Sequence, residues 1–330
     1  MVNWVPFHRI PLERRLQTTA ILTWSLLPLL CLSAFLALLF FPIFWPVLVI
    51  YLGWMFFDQA HRTGGRPIQW FRELKFFKYM ANYFPVTIIK EVDLDPKQRY
   101  VFGYHPHGII SHGAAINFGT EGTGFSKIFK GLKLRLLTLD QNFRTPFYRD
   151  IILSMGIASV SLQSCESILK LKDPTSIVIV VGGAAEALDA HVGKAELTLR
   201  RRKGFIKVAI RNGASLVPIF SFGENDLYNT VENPKGSRLR HIQETFQKYT
   251  NVSPPVFYGR GVFNYDYGML PLRKKVATVV GHPIATVQNL NPTEAYIDEV
   301  QEKYIAELQR IYDKYKDLYA PDRKTELIVH

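Results

Sequence analysis

At residues 100–113 the chain reads YVFGYHPHGIISHG, with His105 and His107 on either side of Pro106 just where an apolar run stops. His112 follows five residues after His107. Imidazoles so placed can ligate a metal, pack as partnered polar side chains, or move a proton near neutral pH. A metal site needs further ligands, and here Ile109 and Ile110 come next, with His112 the only other donor near by. In a structural role, one histidine caps a turn and the other packs. General base catalysis needs one imidazole at a strand end and a group that orients it. Pro106 fixes the backbone, and Gly108 lets a substrate approach the main chain closely. The two histidines then point differently and need not share a task.

The elements around this stretch decide where it lies. Short apolar runs at 100–104 (YVFGY), 133–139 (KLRLLTL), 157–161 (IASVS), 176–181 (SIVIVV), 215–222 (SLVPIFSF) and 275–280 (KVATVV) are expected strands. SIVIVV is apolar without alternation, as in a strand buried on both faces. Helices are expected from Thr145-Pro146 to Gly156 and over 205–211, stopping at Asn212-Gly213. A last one starts in NPTEAYID, with Asn291 as cap, and buries Tyr296, Val300, Tyr304, Leu308, Tyr312 and Tyr315. Alternating strands and helices predict an α/β domain with a mostly parallel central sheet and flanking helices. Ligands in such sheets gather beyond the carboxyl ends of strands, which is where His105, Pro106, His107 and Gly108 fall.

From Leu16 to Phe57 there is no Asp, Glu, Lys, Arg or His. The 38 residues from Ala20 to Phe57 would make a helix of roughly 57 Å, against a hydrocarbon core of about 30 Å. Pro42 and Pro46 interrupt the run, predicting a two-helix membrane hairpin over 20–40 and 43–57. Arg9, Arg14 and Arg15 before it and Arg62 and Arg66 after it place both ends in the cytosol. Its turn, FFPIFWP, carries no residue that prefers water, so the hairpin can stay within one leaflet or in the monolayer of an oil droplet. The run is too long, and lacks the small-residue cleavage site, for a signal peptide. The expected organisation is a tail (1–19), the hairpin (20–57), an interfacial linker (58–98) and a catalytic domain (99–330). In the linker Trp70, Phe71, Leu74, Phe77 and Ala81 share one helical face, with Arg72, Lys75 and Lys78 off it. That pattern suits a helix lying at the membrane interface or one packed on the domain.

Cys31 and Cys165 are the only cysteines and give no disulfide framework, in keeping with a cytosolic catalytic part. A sequon at Asn251-Val252-Ser253 would not meet the glycosylation machinery on this topology. The formal charge of +12 suits anionic lipid or an anionic co-substrate. No zinc-ligand spacing or RNA-binding aromatic signature supports nucleic acid.

The chain resembles the type-2 diacylglycerol acyltransferase family, which also holds monoacylglycerol and wax-ester acyltransferases. The blocks that carry the resemblance are YFP at 83–85, HPHG at 105–108 and VVGGAAEAL at 180–188. RRKGFIKVAIRNGASLVPIFSFGEND at 201–226, YGRGVFNYDYGMLPLR at 258–273 and VVGHPI at 279–284 match as well. With the hairpin they span nearly the whole chain. The resemblance implies transfer of an acyl group from acyl-CoA to a lipid alcohol at the endoplasmic reticulum membrane. More distantly, the block order is similar to glycerolipid acyltransferases with a His-x4-Asp pair, whose aspartate position is His112 here. Another group must therefore orient His107. Glu186, after SIVIVV and the Gly182-Gly183 pair, is the expected partner, with His105 as the alternative base.

On that footing His107 deprotonates the acceptor hydroxyl while backbone N–H groups near Gly108, or His105, hold the oxyanion. Phosphate-using relatives follow their glutamate with Gly-Thr-Arg, whereas Ala187, Leu188 and Asp189 stand here, which suits a neutral acceptor. Arg200, Arg201, Arg202 and Lys203 precede a helix N-terminus and are expected to meet the phosphates of coenzyme A or lipid headgroups. Asn225 and Asp226 end a strand and are expected to line the pocket, as is His282 unless it is a core histidine. Ser111 and Cys165 lie in no nucleophile elbow. GTEGTG at 119–124 has its glycines out of order for a dinucleotide fingerprint and is expected to be a loop. The expected function is acyl-CoA:diacylglycerol O-acyltransferase, with acyl-CoA as co-substrate, no other cofactor and no metal. Expected surroundings are the endoplasmic reticulum and the lipid droplet surface, with a homo-oligomer left open. Monoacylglycerol or a fatty alcohol as acceptor, a droplet-coating protein with a decayed site, and a metal-dependent hydrolase are the alternatives.

Overall fold

A computed structural model describes residues 2–231, 233–234, 236–250 and 255–330. The sequon at 251–253 lies outside them. The strands are β1 (Thr87–Lys90), β2 (Tyr100–His105), β3 (Lys133–Thr138), β4 (Ala158–Ser159), β5 (Thr175–Val180), β6 (Glu196–Leu197), β7 (Ser215–Phe222), β8 (Asn229–Thr230), β9 (Phe257–Tyr258), β10 (Ala277–Val280) and β11 (Ile328–Val329). Seven form one sheet in the order β1-β10-β7-β2-β5-β3-β4. The five from β7 to β4 run parallel. β10 pairs antiparallel to β7, and β1 parallel to β10. The expected mostly parallel α/β sheet is therefore present. The run KVATVV, expected among the strands, lies in it reversed in direction, and TIIK adds an edge strand.

Period-2 alternation divides the core. On one face Phe102, Tyr104, Val217 and Ile219 pack with Phe84, Phe118, Ala20 and Ile21. That side carries α1 (Leu12–Leu39), α4 (Lys75–Tyr83) and α5 (His112–Gly119). On the other face Val101, Ile177 and Leu216 pack with Ile206, Ile210, Tyr304 and Leu308. That side carries α8 (Leu162–Leu169), α10 (Gly204–Asn212) and α12 (Glu294–Tyr319); α3 (Gln69–Arg72), α6 (Phe125–Ile128), α7 (Tyr148–Ser154), α9 (Gly183–Asp189) and α11 (Arg238–Thr250) are further helices of the chain. The cap of α12 is Thr293, whose Oγ1 accepts from the Tyr296 N–H at 3.3 Å, and not Asn291.

α1 and α2 (Trp45–Phe57) are joined through the short turn Pro42–Phe44. The stretches Leu12–Leu39 and Pro42–Arg62 are long and apolar enough to cross a membrane, by length and composition. α1 starts eight residues before the expected Ala20, because Pro11 precedes it and Glu13 suits its first turn. Leu29, Leu30, Phe40, Ile43 and Phe56 face outward. The foot of α1 is bolted to the sheet side: Arg273 donates to Gln17 Oε1 (2.7 Å), Thr18 Oγ1 (2.9 Å) and the Arg14 carbonyl (3.0 Å). At the other end, Asp58 pairs with buried Arg149 at 2.7 Å.

The stretch 58–98 is not a free linker. Phe77, Met80, Ala81 and Tyr83 are buried, Trp70 is exposed, and β1 belongs to the main sheet. Arg72, expected off the buried stripe, is itself buried beside Glu121 (3.5 Å) and the Phe118 carbonyl (3.3 Å). Of the two arrangements open for this helix, the chain adopts the packed one.

Candidate active site

β2 delivers its last side chains to opposite faces, as a strand must. Tyr104 turns toward the α1 side, where its hydroxyl donates to Glu224 Oε2 at 2.6 Å. His105 turns toward α12, fully buried, with Nε2 3.0 Å from Tyr304 Oη. Tyr304 in turn donates to the Gly103 carbonyl at 3.1 Å, and a Cβ on residue 103 would lie 2.0 Å from that hydroxyl. Only glycine fits there. His105 Nδ1 is buried without a partner among the described residues, and burial depresses the imidazole to about 3. Neither ring nitrogen faces open space, so His105 is poorly placed to act as a base.

His107 is different. It is partly buried, and its Nδ1 lies 2.9 Å from the Gly108 carbonyl. A carbonyl can only accept, so Nδ1 carries the proton and Nε2 presents its lone pair. Nε2 makes no hydrogen bond among the described residues. Burial lowers the pKa, which keeps the ring neutral at pH 7. Ser111 Oγ donates to the His107 carbonyl at 2.6 Å and so braces the turn from below.

Glu186 does reach this rim, but it holds the backbone of His107 and not its ring. Its Oε2 accepts from the His107 N–H (3.0 Å) and its Oε1 from the Thr198 N–H (2.8 Å). The expected His107–Glu186 dyad is thus a main-chain clamp, with the Gly108 carbonyl orienting the imidazole. Gly182 is required, since a Cβ there would lie 1.9 Å from the Glu186 carboxyl. Burial raises Glu186 to about 7 in spite of both donors.

A second buried carboxylate, not expected from the sequence, mirrors it. Glu224 accepts from Tyr104 and from the Gly113 N–H (3.0 Å), and burial raises it to about 7. A Cβ on Gly108, whose φ is +62°, would meet Glu224 Cγ at 2.8 Å. The histidine loop is therefore gripped on one side by Glu186 and on the other by Glu224. A sequence signal exists: like Glu186, Glu224 follows a buried apolar strand and a glycine. His112 lies in the core, with Nε2 3.0 Å from Tyr228 Oη and its ring against Phe84, and burial lowers it to about 4.

The remaining expected residues are dispersed. Arg200 pairs with Glu302 at 2.6 Å and Lys203 with Asp298 and Glu294, while Arg201 and Arg202 are exposed. Asn225 and Asp226 line a cleft of 270 Å³ together with Pro106. His282 lies exposed on Glu307 (2.9 Å), beyond the other end of the sheet, so it lines no pocket with His107. Glu91 and Glu307 could join it around an ion, but Arg310 and Lys314 already neutralise them. Cys165 is buried and its thiol is pushed up to about 12, which leaves it inert as a nucleophile.

The apolar helix α1 packed on one sheet face, α2 after it, and a histidine loop at the carboxyl rim describe a class, an α/β protein compatible with membrane association. Residues 37–330 match the diacylglycerol acyltransferase family. The chain is 53% identical to diacylglycerol O-acyltransferase 2B of Umbelopsis ramanniana, over 98% of its length and 93% of the relative's. It is 47% identical to diacylglycerol O-acyltransferase 2 of Dictyostelium discoideum, and 44% identical to 2-acylglycerol O-acyltransferase 1 of Bos taurus, each over 98% of both chains. The chain belongs to the diacylglycerol acyltransferase family and is an O-acyltransferase.

Proposed function

We propose that the protein transfers a fatty acyl group from acyl-CoA to diacylglycerol, forming triacylglycerol, with His107 as general base. The observation that carries this reading is the imidazole whose Nδ1 is tied to the Gly108 carbonyl while Nε2 stays open. Nε2 takes the hydroxyl proton as that oxygen attacks the thioester carbonyl. The Gly108 N–H, which has no partner among the described residues, is the nearest main-chain donor for the tetrahedral oxyanion. Collapse of the intermediate breaks the C–S bond, the thiolate of coenzyme A departs, and the imidazolium returns its proton to thiolate or solvent. No acyl-enzyme forms and no step calls for a metal.

A neutral acceptor suits the site. After Glu186, Ala187 and Leu188 are buried and Asp189 is paired with Arg240 at 2.7 Å, so this turn carries no unpaired cation to clamp a phosphate. The hairpin anchors the enzyme in the endoplasmic reticulum membrane, or in the monolayer of a lipid droplet, with the α/β body in the cytosol. A second acceptor, 2-monoacylglycerol, is favoured by the 44% identity to the bovine relative named for it. A droplet coat would have no need of two buried carboxylates and an open imidazole.

The test uses microsomes expressing the chain, labelled oleoyl-CoA and each acceptor in turn. Triacylglycerol formation should survive EDTA and vanish in His107→Ala. Full activity in that variant would exclude His107 as the base, and label found only in diacylglycerol would install the second acceptor.

A further inference from the structure

The Pro106 cleft has the chemistry of a nucleotide site. It lies on the α12 side of the sheet, away from the hairpin, and one wall is aromatic: Phe222 stacks on Tyr312 at 5.9 Å, and partly exposed Tyr319 adjoins them. Lys274 and Lys275 stand at the mouth, exposed and without a carboxylate partner among the described residues. The Lys275 ammonium sits 5.0 Å above the Tyr319 ring. In the wall, Asn225 is 93% buried; its amide nitrogen donates to the Lys194 carbonyl at 2.9 Å, and its Oδ1 is left buried with no partner among the described residues. A buried acceptor with nothing to accept is costly unless a ligand supplies the donor. The 270 Å³ cleft adjoins a 480 Å³ one through Val192 and Lys194, giving space within the usual range of about 300–1,000 Å³ for such sites.

We infer that this cleft holds the phosphoadenosine end of acyl-CoA, an assignment that rests on the acyl-CoA reading above. The adenine stacks on Tyr319, Lys274 and Lys275 meet the phosphates, and Asn225 Oδ1 accepts from an N–H of the ligand. The pantetheine arm then runs past Pro106 and brings the thioester to His107. Of the run Arg200, Arg201, Arg202 and Lys203 expected from sequence to bind phosphate, Arg200 and Lys203 are spent on Glu302, Glu294 and Asp298 of α12, while Arg201 and Arg202 are exposed. The sheet thus parts the substrates: the charged head of acyl-CoA enters from the water side, and the lipid acceptor from the side of α1.

The test uses the full chain purified in detergent, with adenosine 3′,5′-bisphosphate as probe. Lys274→Glu/Lys275→Glu should weaken bisphosphate binding about tenfold or more and raise KM for oleoyl-CoA in step, with kcat and the diacylglycerol KM nearly constant. Lys274→Arg/Lys275→Arg should restore both. Tyr319→Leu, which alters no charge, should weaken the bisphosphate several-fold and covers the case in which the reversal variant fails to fold. Unchanged bisphosphate affinity in the folded variants, or a loss found only in Arg200→Ala/Lys203→Ala, overturns the assignment. Should the wild-type chain bind bisphosphate yet acylate nothing, the acyltransferase reading falls and the nucleotide site stands. Normal acylation with indifferent lysines does the reverse: the nucleotide site falls and the acyltransferase reading stands.

Discussion

At the scale of single residues the molecule depends on groups kept uncharged by burial. His107→Ala should cut turnover by about 10²–10⁴-fold, the usual worth of a placed general base, while the unfolding temperature in detergent stays near that of the wild type. Glu224 and Glu186 have folded pKa values raised to about 7, from an ordinary 4.5. The folded state therefore holds protons that the unfolded chain has lost, so their contribution is complete below pH 4.5 and disappears as pH rises through about 7. The histidines act in the opposite sense. His112 and His105, lowered to about 4 and about 3 from 6.5, support the fold above pH 6.5 and lose that support as pH falls toward those values. Glu224→Gln keeps one acceptor and flattens the alkaline limb of the stability–pH curve, which thermal unfolding between pH 5 and 8 would register. An unaltered limb would contradict the burial argument. The same variant should lower activity about tenfold or more by loosening the loop at Gly108.

Among the elements, those with a strong period are legible in the sequence. SIVIVV, SLVPIFSF and the buried stripe of α12 form where their patterns put them. Pattern alone cannot reveal that Tyr304 of that stripe meets His105, because a tyrosine at helical spacing looks like any core aromatic until its hydroxyl finds a partner. TIIK of β1 is illegible because four residues at a sheet edge, two half-buried and two exposed, carry little signal. The packed state of 69–83 is likewise undecidable from pattern, since one amphipathic face serves lipid and protein equally. Glu186 is legible as a residue of the right rim, yet no spacing rule says whether a carboxylate will take a ring or a main-chain N–H. The seam between α1 and the sheet yields a prediction of its own. Arg273→Ala removes three hydrogen bonds to the helix foot and the guanidinium 4.0 Å above the Tyr83 ring. It should cost about 2–4 kcal/mol of stability and expose the residues around Arg14 to protease in intact microsomes. Undiminished protection would show that the foot is held by packing alone.

For the whole molecule the proposed topology is testable at both termini. Tags before residue 10 and after residue 330 should both be digested on sealed microsomes without detergent, and protection of either would refute a hairpin with two cytosolic ends. The fold supplies a reason beyond flanking charge. The N-terminal tail is sewn into the body, with the Val5 N–H on the Phe263 carbonyl (2.8 Å), the Tyr265 N–H on the Asn3 carbonyl (3.0 Å) and the Asn3 amide on Asp266 (2.9 Å). The chain just past α2 is fastened as well, by Asp58 on Arg149.

A body moored by two lines cannot swing out on a stalk to meet its lipid. On the proposed reading it samples only what drifts past within its own leaflet, so its rate should follow the mole fraction of acceptor in the film and ignore the amount of acceptor per volume of suspension. Diluting the membrane with inert phospholipid at fixed total diacylglycerol should then slow the enzyme, whereas diluting the vesicles with buffer should not.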